Sequence, residues 1–419
     1  MNSYIRRGLE ELAREVLEFS PILHVTGSRQ VGKSTLTQHL GLDEAVYVTL
    51  DDPAALSLAQ DDPLYFVKQG GDRALIIDEI QRLPELSLAL KAEVDADRRP
   101  GRFVITGSSD FARGLGRKDS LAGRMVDLHL HPLAQQEVAG TLDMGTFVDR
   151  VPELLSLSSQ TVAPEVVTRK ELVGMLLRGG YPPVLELSPR MRKLWFDSYL
   201  GHMTVVEETL AQERAQPGRL QSLMRLSAAH QAGELVPSKL AREADIPAST
   251  VRSYLDTLAR LFLLSQAKAW KNNLTAREVS KPKAWVTDSG LACWLSGQEE
   301  SALMNPMASS NFGHLVEGFV LQELCAQQGW ADTDYRILHW RESGGMEVDA
   351  IIEYADGNIV AVEVKSGSTV KSDHAKHLAV LREKLGKKFV GGFVLAPIDR
   401  VQPLGEKLIA LPMSYLWRS

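Results

Sequence analysis

The sequence predicts an α/β chain of several domains: a parallel-sheet domain first, a helical middle region with a winged helix, and a second α/β domain at the C-terminus. Three observations carry this. An apolar run at residues 22–26 feeds the glycine-rich Gly27-Ser28-Arg29-Gln30-Val31-Gly32-Lys33-Ser34; residues 237–258 read as two short helices around a tight turn; and residues 346–365 read as two strands joined through Asp356-Gly357. A length of 419 residues is long for a single core, and the boundaries fall at residues 1–150, 165–295 and 305–419.

The first motif fits G-x-x-x-x-G-K-[ST] at every constrained position. Backbone N–H groups freed of side chains at Gly27 and Gly32 can wrap phosphate oxygens while Lys33 adds a point charge. The helix that follows turns the positive end of its dipole toward the same place. Gly27, Ser28, Arg29, Gln30, Val31, Gly32, Lys33, Ser34 and Thr35 are therefore the expected nucleotide contacts, with ATP as ligand and the Ser34 hydroxyl on Mg2+.

A second apolar strand, residues 74–79, ends in Asp78-Glu79. One carboxylate is suited to the Mg2+ shell and its neighbour, turned the other way at a strand end, to the attacking water, so Asp78 is expected as metal ligand and Glu79 as base. A third strand at 101–106 runs into Gly107-Ser108-Ser109, which makes Thr106 or Ser108 the expected sensor of the γ-phosphate. Arg113, Arg117 and Arg124 lie in a glycine-rich stretch and are candidates for an arginine finger directed at a neighbouring subunit, Arg124 first; that role implies a homo-oligomer.

With Ile77-Asp78-Glu79-Ile80-Gln81-Arg82, Ile105-Thr106-Gly107-Ser108-Ser109 and Ser120-Leu121-Ala122-Gly123-Arg124 added to the glycine-rich loop, residues 22–140 resemble the AAA+ ATPase module of the family that carries a C-terminal DUF4143 domain. The resemblance continues through residues 283–292 and Glu363-Val364-Lys365-Ser366-Gly367 to the end of the chain. It implies ATP binding and hydrolysis, and a restriction-endonuclease-like C-terminal fold.

Composition excludes other classes. With 44% apolar and 24% charged residues the chain is globular, and a net charge of −6 argues against a uniformly basic nucleic-acid coat while leaving room for a local patch. Two cysteines make neither a disulfide framework nor a zinc site. No apolar run approaches a membrane span and residues 1–20 have no signal-peptide core, so a cytoplasmic location is expected.

After a loop or linker at 154–164 helical patterning takes over. Residues 237–244 and 248–258 have helix-turn-helix spacing, with Val251, Leu255 and Leu258 on one face. Strand-like residues at 261–270 and 284–287 enclose Lys268, Lys271, Arg277, Lys281 and Lys283 against one acid, Glu278. This is the pattern of a winged helix with a basic wing, expected either to contact the phosphate backbone of DNA without sequence preference or only to pack against the ATPase or a neighbouring subunit.

In the C-terminal hairpin, register decides the chemistry. A three-residue turn at 356–358 pairs Asp349 with Lys365, gathers Ala350, Ile352, Tyr354, Val360, Val362 and Val364 on one face, and leaves Asp349, Glu363 and Lys365 together on the other. Asp followed by Glu-x-Lys on paired strands resembles PD-(D/E)XK nucleases; the resemblance implies that Asp349 and Glu363 hold Mg2+ and that Lys365 positions the nucleophilic water. The same resemblance implies an acidic residue from the preceding helix, so Glu317, a carboxylate on its apolar stripe, is added as a metal-ligand candidate. The expected function is a Mg-dependent AAA+ ATPase coupling ATP binding and hydrolysis to DNA binding, remodelling or processing; the alternative is a nucleotide-gated switch or scaffold with an inactive nuclease-like domain.

Overall fold

A computed structural model of the chain describes residues 4–42, 44–108, 121–210, 218–305, 311–342 and 344–418. Two compact units emerge: residues 1–132 with the short segment 260–262, and residues 133–259 with 263–419.

In the first unit, β1 (Ile22–Thr26), β2 (Val46–Thr49), β3 (Leu75–Asp78), β4 (Phe103–Gly107) and β5 (Met125–His129) form a sheet in the order β2-β3-β4-β1-β5, with every pairing parallel. Parallel strands need cover on both faces, and the sequence supplies apolar residues for both. Ile22, Leu75, Ile77, Phe103 and Ile105 pack on one side with Phe66, Leu86 and Leu90. Their alternates Leu23, Val25, Ile76 and Val104 pack on the other. That second face is covered by α1 (Leu9–Phe19), whose Leu9, Ala13, Val16 and Leu17 recur at i, i+4, i+7 and i+8, and by α2 (Lys33–Gln38). The helix Leu86–Ala96, α3, lies over the first face. Because β1 is central, between β4 and β5, the loop leaving its carboxyl end opens where the strand order reverses, the usual place for a ligand in an open α/β sheet.

The second unit is built on a mixed nine-stranded sheet. Its strands are β6 (Gly233–Glu234), β7 (Leu264–Ala269), β8 (Lys283–Val286), β9 (Tyr335–Arg341), β10 (Glu347–Tyr354), β11 (Ile359–Val364), β12 (Phe389–Ala396), β13 (Gln402–Gly405) and β14 (Leu408–Pro412), in the order β13-β14-β12-β11-β10-β9-β7-β8-β6. The strands of the segments expected as separate domains at 165–295 and 305–419 thus share one sheet, joined where β7 pairs in parallel with β9. In the middle segment come α4 (Arg169–Arg178), α5 (Arg219–Ala229), α6 (Pro237–Ala244) and α7 (Ala248–Arg260). The chain turns between α6 and α7 at Asp245, which adopts φ 53°, so the two-helix reading of 237–258 matches the helices found. The stretch between β7 and β8, expected as a loop, contains a short helix, α8 (Leu274–Val279), started by the Asn273 side chain accepting from Thr275 N–H. Later come α9 (Ser289–Leu295), α10 (Phe312–Gln327) and α11 (Lys376–Leu385).

The hairpin of β10 and β11 corrects one expectation. Ala350 pairs with Val362 and Ile352 with Val360, so the turn is residues 355–357, Gly357 has φ 82°, and one further step of the register sets Asp349 opposite Glu363 rather than Lys365. The shift is two residues, an even number, and the partition of faces survives it.

Candidate nucleotide site and C-terminal carboxylate cluster

The loop after β1 is shaped by backbone before side chain. Gly27 has φ 149°, and a Cβ there would stand 2.4 Å from the Leu130 carbonyl oxygen; Gly32, at φ 102°, starts α2. Only glycine fits both demands. Lys33 follows, nearly buried, with Nζ donating to the Gly27 and Ser28 carbonyls at 3.0 Å each. Burial pushes its pKa down to about 8, partly offset by Glu79 and Asp78. Ser28 is buried, Arg29 half-buried and Gln30 exposed in a left-handed conformation; Val31 is buried in the core beneath the loop and Thr35 is exposed.

The end of β3 comes to the same place. Ser34 Oγ donates to Asp78 Oδ1 at 2.8 Å, Tyr47 Oη donates to Asp78 Oδ2 at 2.9 Å, and Thr106 Oγ1 also donates to Asp78 Oδ1. Three neutral hydroxyls orient Asp78 without cancelling its charge. A serine hydroxyl beside a carboxylate is an oxygen pair that suits a hard cation such as Mg2+. Glu79 takes φ 60°, a strained angle for a residue with a side chain, and its N–H donates to Thr106 Oγ1 at 3.2 Å. Its carboxylate accepts from the Gln81 amide and, at 3.4 Å, from Ser108 Oγ, while Gln81 Nε2 also reaches Ser108 Oγ at 2.9 Å. Both residues expected near the γ-phosphate, Thr106 and Ser108, therefore bear on the two acids.

Sequence reasoning passed over the supporting residues. Arg7 runs beneath the loop and donates to the Val31 carbonyl at 2.9 Å and the His131 carbonyl at 2.6 Å. His129 and His131 are neutral at pH 7: burial, and next the charge of Lys33, pushes His129 down to about 4, and burial pushes His131 well below the ordinary value. Tyr47, with its phenol raised by burial and by Asp78, is joined to Asp78 through the pairing of β2 with β3. Arg113 and Arg117 lie outside the described residues. Arg124, expected to reach outward, is turned onto Asp95 of α3 at 2.6 Å.

In the second unit α10, β8 and β10 deliver a denser cluster. Ligand oxygens of Glu317, Glu347 and Asp349 lie within 4.8 Å of one another. Among them sits the ammonium of Lys283, whose side chain is fully buried: it bonds Glu317 Oε1 and stands 3.0 Å from Glu347 Oε1 and 3.4 Å from Asp349 Oδ1. Burial alone would lower its pKa, but Asp349, Glu317 and Glu347 raise it. Asp349 Oδ2 accepts from Val364 N–H at 2.8 Å. Glu363 and Lys365 pair at 2.6 Å; burial and then Asp349 push Glu363 up to about 8, and its Oε2 is buried without a hydrogen-bond partner among the described residues. Asp349, Glu363, Lys365 and Glu317 are thus neighbours, as expected from sequence, while Glu347 and Lys283 had not been placed with them.

The cations of the basic stretch are largely engaged within the chain. Arg277 forks onto Glu353 with both contacts at 2.7 Å, Lys268 caps Glu278 at 2.8 Å, Lys271 donates to the Arg341 carbonyl at 2.8 Å, and Lys283 is interior. Four of the five cations that promised a phosphate-facing loop have partners within the chain: Arg277 and Lys283 meet acids distant in sequence, Lys268 meets Glu278 of the same stretch, and Lys271 meets a backbone carbonyl.

The parallel sheet and the glycine-rich loop give the first unit the fold of a P-loop domain. Residues 19–139 match the AAA domain family, residues 169–302 a domain of unknown function (DUF8612) and residues 312–416 a domain of unknown function (DUF4143), so the chain carries an AAA domain followed by a DUF4143 domain. It is similar to uncharacterized proteins of Mycobacterium tuberculosis and Mycobacterium bovis, each 28% identical over 414 residues, spanning 97% of this chain and 83% of the relative. Among solved structures it is similar to a Walker-type ATPase of Pyrococcus abyssi (TM-score 0.45, 16% identical, covering 70% of this chain and 96% of that one). A signal-transduction ATPase with a tetratricopeptide-repeat sensor from Pyrococcus horikoshii also matches (TM-score 0.26, 12% identical, covering 78% and 46%). Among the described residues no helix is long and apolar enough to cross a membrane.

Proposed function

We propose that this chain is a Mg2+-dependent ATPase whose nucleotide cycle is coupled to the binding or processing of DNA by its C-terminal half. The observation that carries the ATPase reading is the meeting of Lys33, Ser34, Asp78 and Glu79 at the carboxyl ends of β1 and β3. In this reading the backbone of residues 27–32 and the Lys33 ammonium hold the β- and γ-phosphates. Mg2+ between Ser34 and Asp78 would neutralise charge on the transferring phosphoryl group. Glu79, held by Gln81 and Ser108, orients the attacking water, and Thr106 fixes the angle between the two acids. Assembly into a homo-oligomer, with Arg124 exchanging Asp95 for a neighbouring nucleotide, belongs to the same proposal.

For the C-terminal half, the reading as a nuclease-like metal centre rests on Asp349, Glu363, Lys365 and Glu317 being neighbours and on Glu363 Oε2, a buried oxygen that has no hydrogen-bond partner among the described residues and that a cation would satisfy. The second reading, a nucleotide-gated switch or scaffold, draws support from Lys283 filling the cluster and from the internal partners of the wing cations.

ATP binding, ATP turnover and cleavage of linear, forked and branched DNA, measured together with Mg2+, test both. Lys33→Ala abolishes ATP binding; Glu79→Gln keeps binding and slows turnover by roughly 10²- to 10⁴-fold, the usual weight of a positioned base. Asp349→Ala removes cleavage. Wild-type protein that hydrolyses ATP but neither binds nor cuts any of these DNAs leaves the switch reading in place.

A further inference from the structure

We infer that Lys283 is the resident cation of the Glu317, Glu347 and Asp349 cluster, and that a divalent ion enters it only when the Lys283 side chain withdraws. This deepens the reading of the C-terminal charges as a metal centre and rests on it.

The oxygens are already divided. Arg341 approaches Glu347 Oε2 at 3.4 Å, His314 approaches Glu317 Oε2 at 3.8 Å, and the Val364 N–H occupies Asp349 Oδ2. What each carboxylate has left, one inner oxygen, faces the Lys283 ammonium. A lysine has three donors, and here it has three acceptors. A hard divalent ion would take the same inner oxygens at 2.0–2.6 Å. Lysine and metal therefore compete for one position. On the same face of the sheet Glu363, close enough to feel the charges of Asp349 and Glu317, has a buried Oε2 with no hydrogen-bond partner among the described residues.

The plug and the cage come from different parts of the chain. Lys283 belongs to β8, in the segment that holds the two short helices α6 and α7, whereas the carboxylates belong to α10 and β10. β8 is held by β6 through two residue pairs, Gly233 with Ala284 and Glu234 with Lys283 itself, and by β7 through four. The opening step is therefore a withdrawal of the Lys283 side chain, which a partner engaged by the middle segment, the segment that carries β8, could favour.

The test is Mn2+ titration of the full-length, nucleotide-free protein, with free Mn2+ followed by electron paramagnetic resonance. Lys283→Ala gains one Mn2+ site per chain, at least about tenfold tighter than wild type, as expected when a closed state populated above nine-tenths is removed. Adding Asp349→Asn to that variant abolishes the gain. A wild-type site that is sensitive to Asp349→Asn and as tight as the variant's overturns the gate and leaves the metal-centre reading standing; no Asp349-dependent Mn2+ in either protein overturns that reading and the gate with it. Should the variant not fold, wild-type crystals soaked in Mn2+ decide: no anomalous peak among the three carboxylates agrees with the gate, and a peak there with Lys283 still bonded to all three contradicts it.

Discussion

Both halves of this chain concentrate acids at strand ends, and they treat the charge in opposite ways. Around Asp78 the partners are the hydroxyls of Ser34, Tyr47 and Thr106, which orient the carboxylate and bring no charge of their own. Around Glu317, Glu347 and Asp349 the partner is an ammonium sealed from water. A carboxylate dressed in neutral donors still demands a cation and can recruit one with each nucleotide. A carboxylate cluster with a lysine inside has had the demand met by the fold, so its cation is a structural part until something removes it. The contrast separates a carboxylate left open to a cation from a cluster that already holds one.

The largest expected effect breaks the held site. Lys283→Met leaves buried Asp349 and half-buried Glu317 and Glu347 without their central cation and costs about 3–5 kcal/mol of stability, measured by chemical denaturation in the absence of divalent ions. A loss under about 1 kcal/mol would place Lys283 among weakly coupled surface pairs and erase the contrast.

Next comes pH, which acts on the nucleotide site through Lys33. Its folded pKa, about 8, lies below the ordinary 10.5 because of burial, so the nucleotide-free protein loses the ammonium as pH rises through 8. ATP needs that charge, and affinity falls by up to about tenfold per pH unit above 8. Stability moves the other way: between 8 and 10.5 the unfolded chain binds more protons at this lysine than the folded one, so the burial cost of Lys33 shrinks as pH rises through that window. Lys33→Arg removes the downward slope in affinity, and calorimetric titration between pH 7 and 10 reads it.

A smaller effect sharpens the other side. Tyr47→Phe deletes one hydroxyl from Asp78 and raises the Mg2+ concentration needed for half-maximal turnover by roughly two- to tenfold, the weight of one hydrogen bond. The smallest is Arg124→Ala: losing the partly exposed pair with Asp95 costs under about 1 kcal/mol, while ATP turnover falls at high protein concentration if Arg124 reaches a neighbouring subunit.

What the sequence disclosed follows the same division. The nucleotide site was legible because its parts are local: a strand, a loop and a helix in consecutive residues, and Asp78-Glu79 at the end of one apolar run. The face shared by Asp349, Glu363 and Lys365 was legible too, because alternation along a strand fixes faces even when the register is two residues off. Lys283 was not. It stands in a basic stretch that resembles a solvated wing, and lysines are seldom interior; its burial comes from the pairing of β7 with β9, which sets β8 and β10 in one sheet although 60 residues of sequence part them. Glu347 and Tyr47 were passed over for the same reason: each acquires its role from a neighbouring strand.

The central claim is that the glycine-lined loop and the acids of β3 form one nucleotide site, and ATP binding by calorimetry on Glu79→Gln beside Lys33→Ala tests it most directly. The account predicts Mg2+-dependent ATP binding to Glu79→Gln with wild-type affinity and none to Lys33→Ala. Equal affinity in the two variants, or none in the wild type, would contradict it.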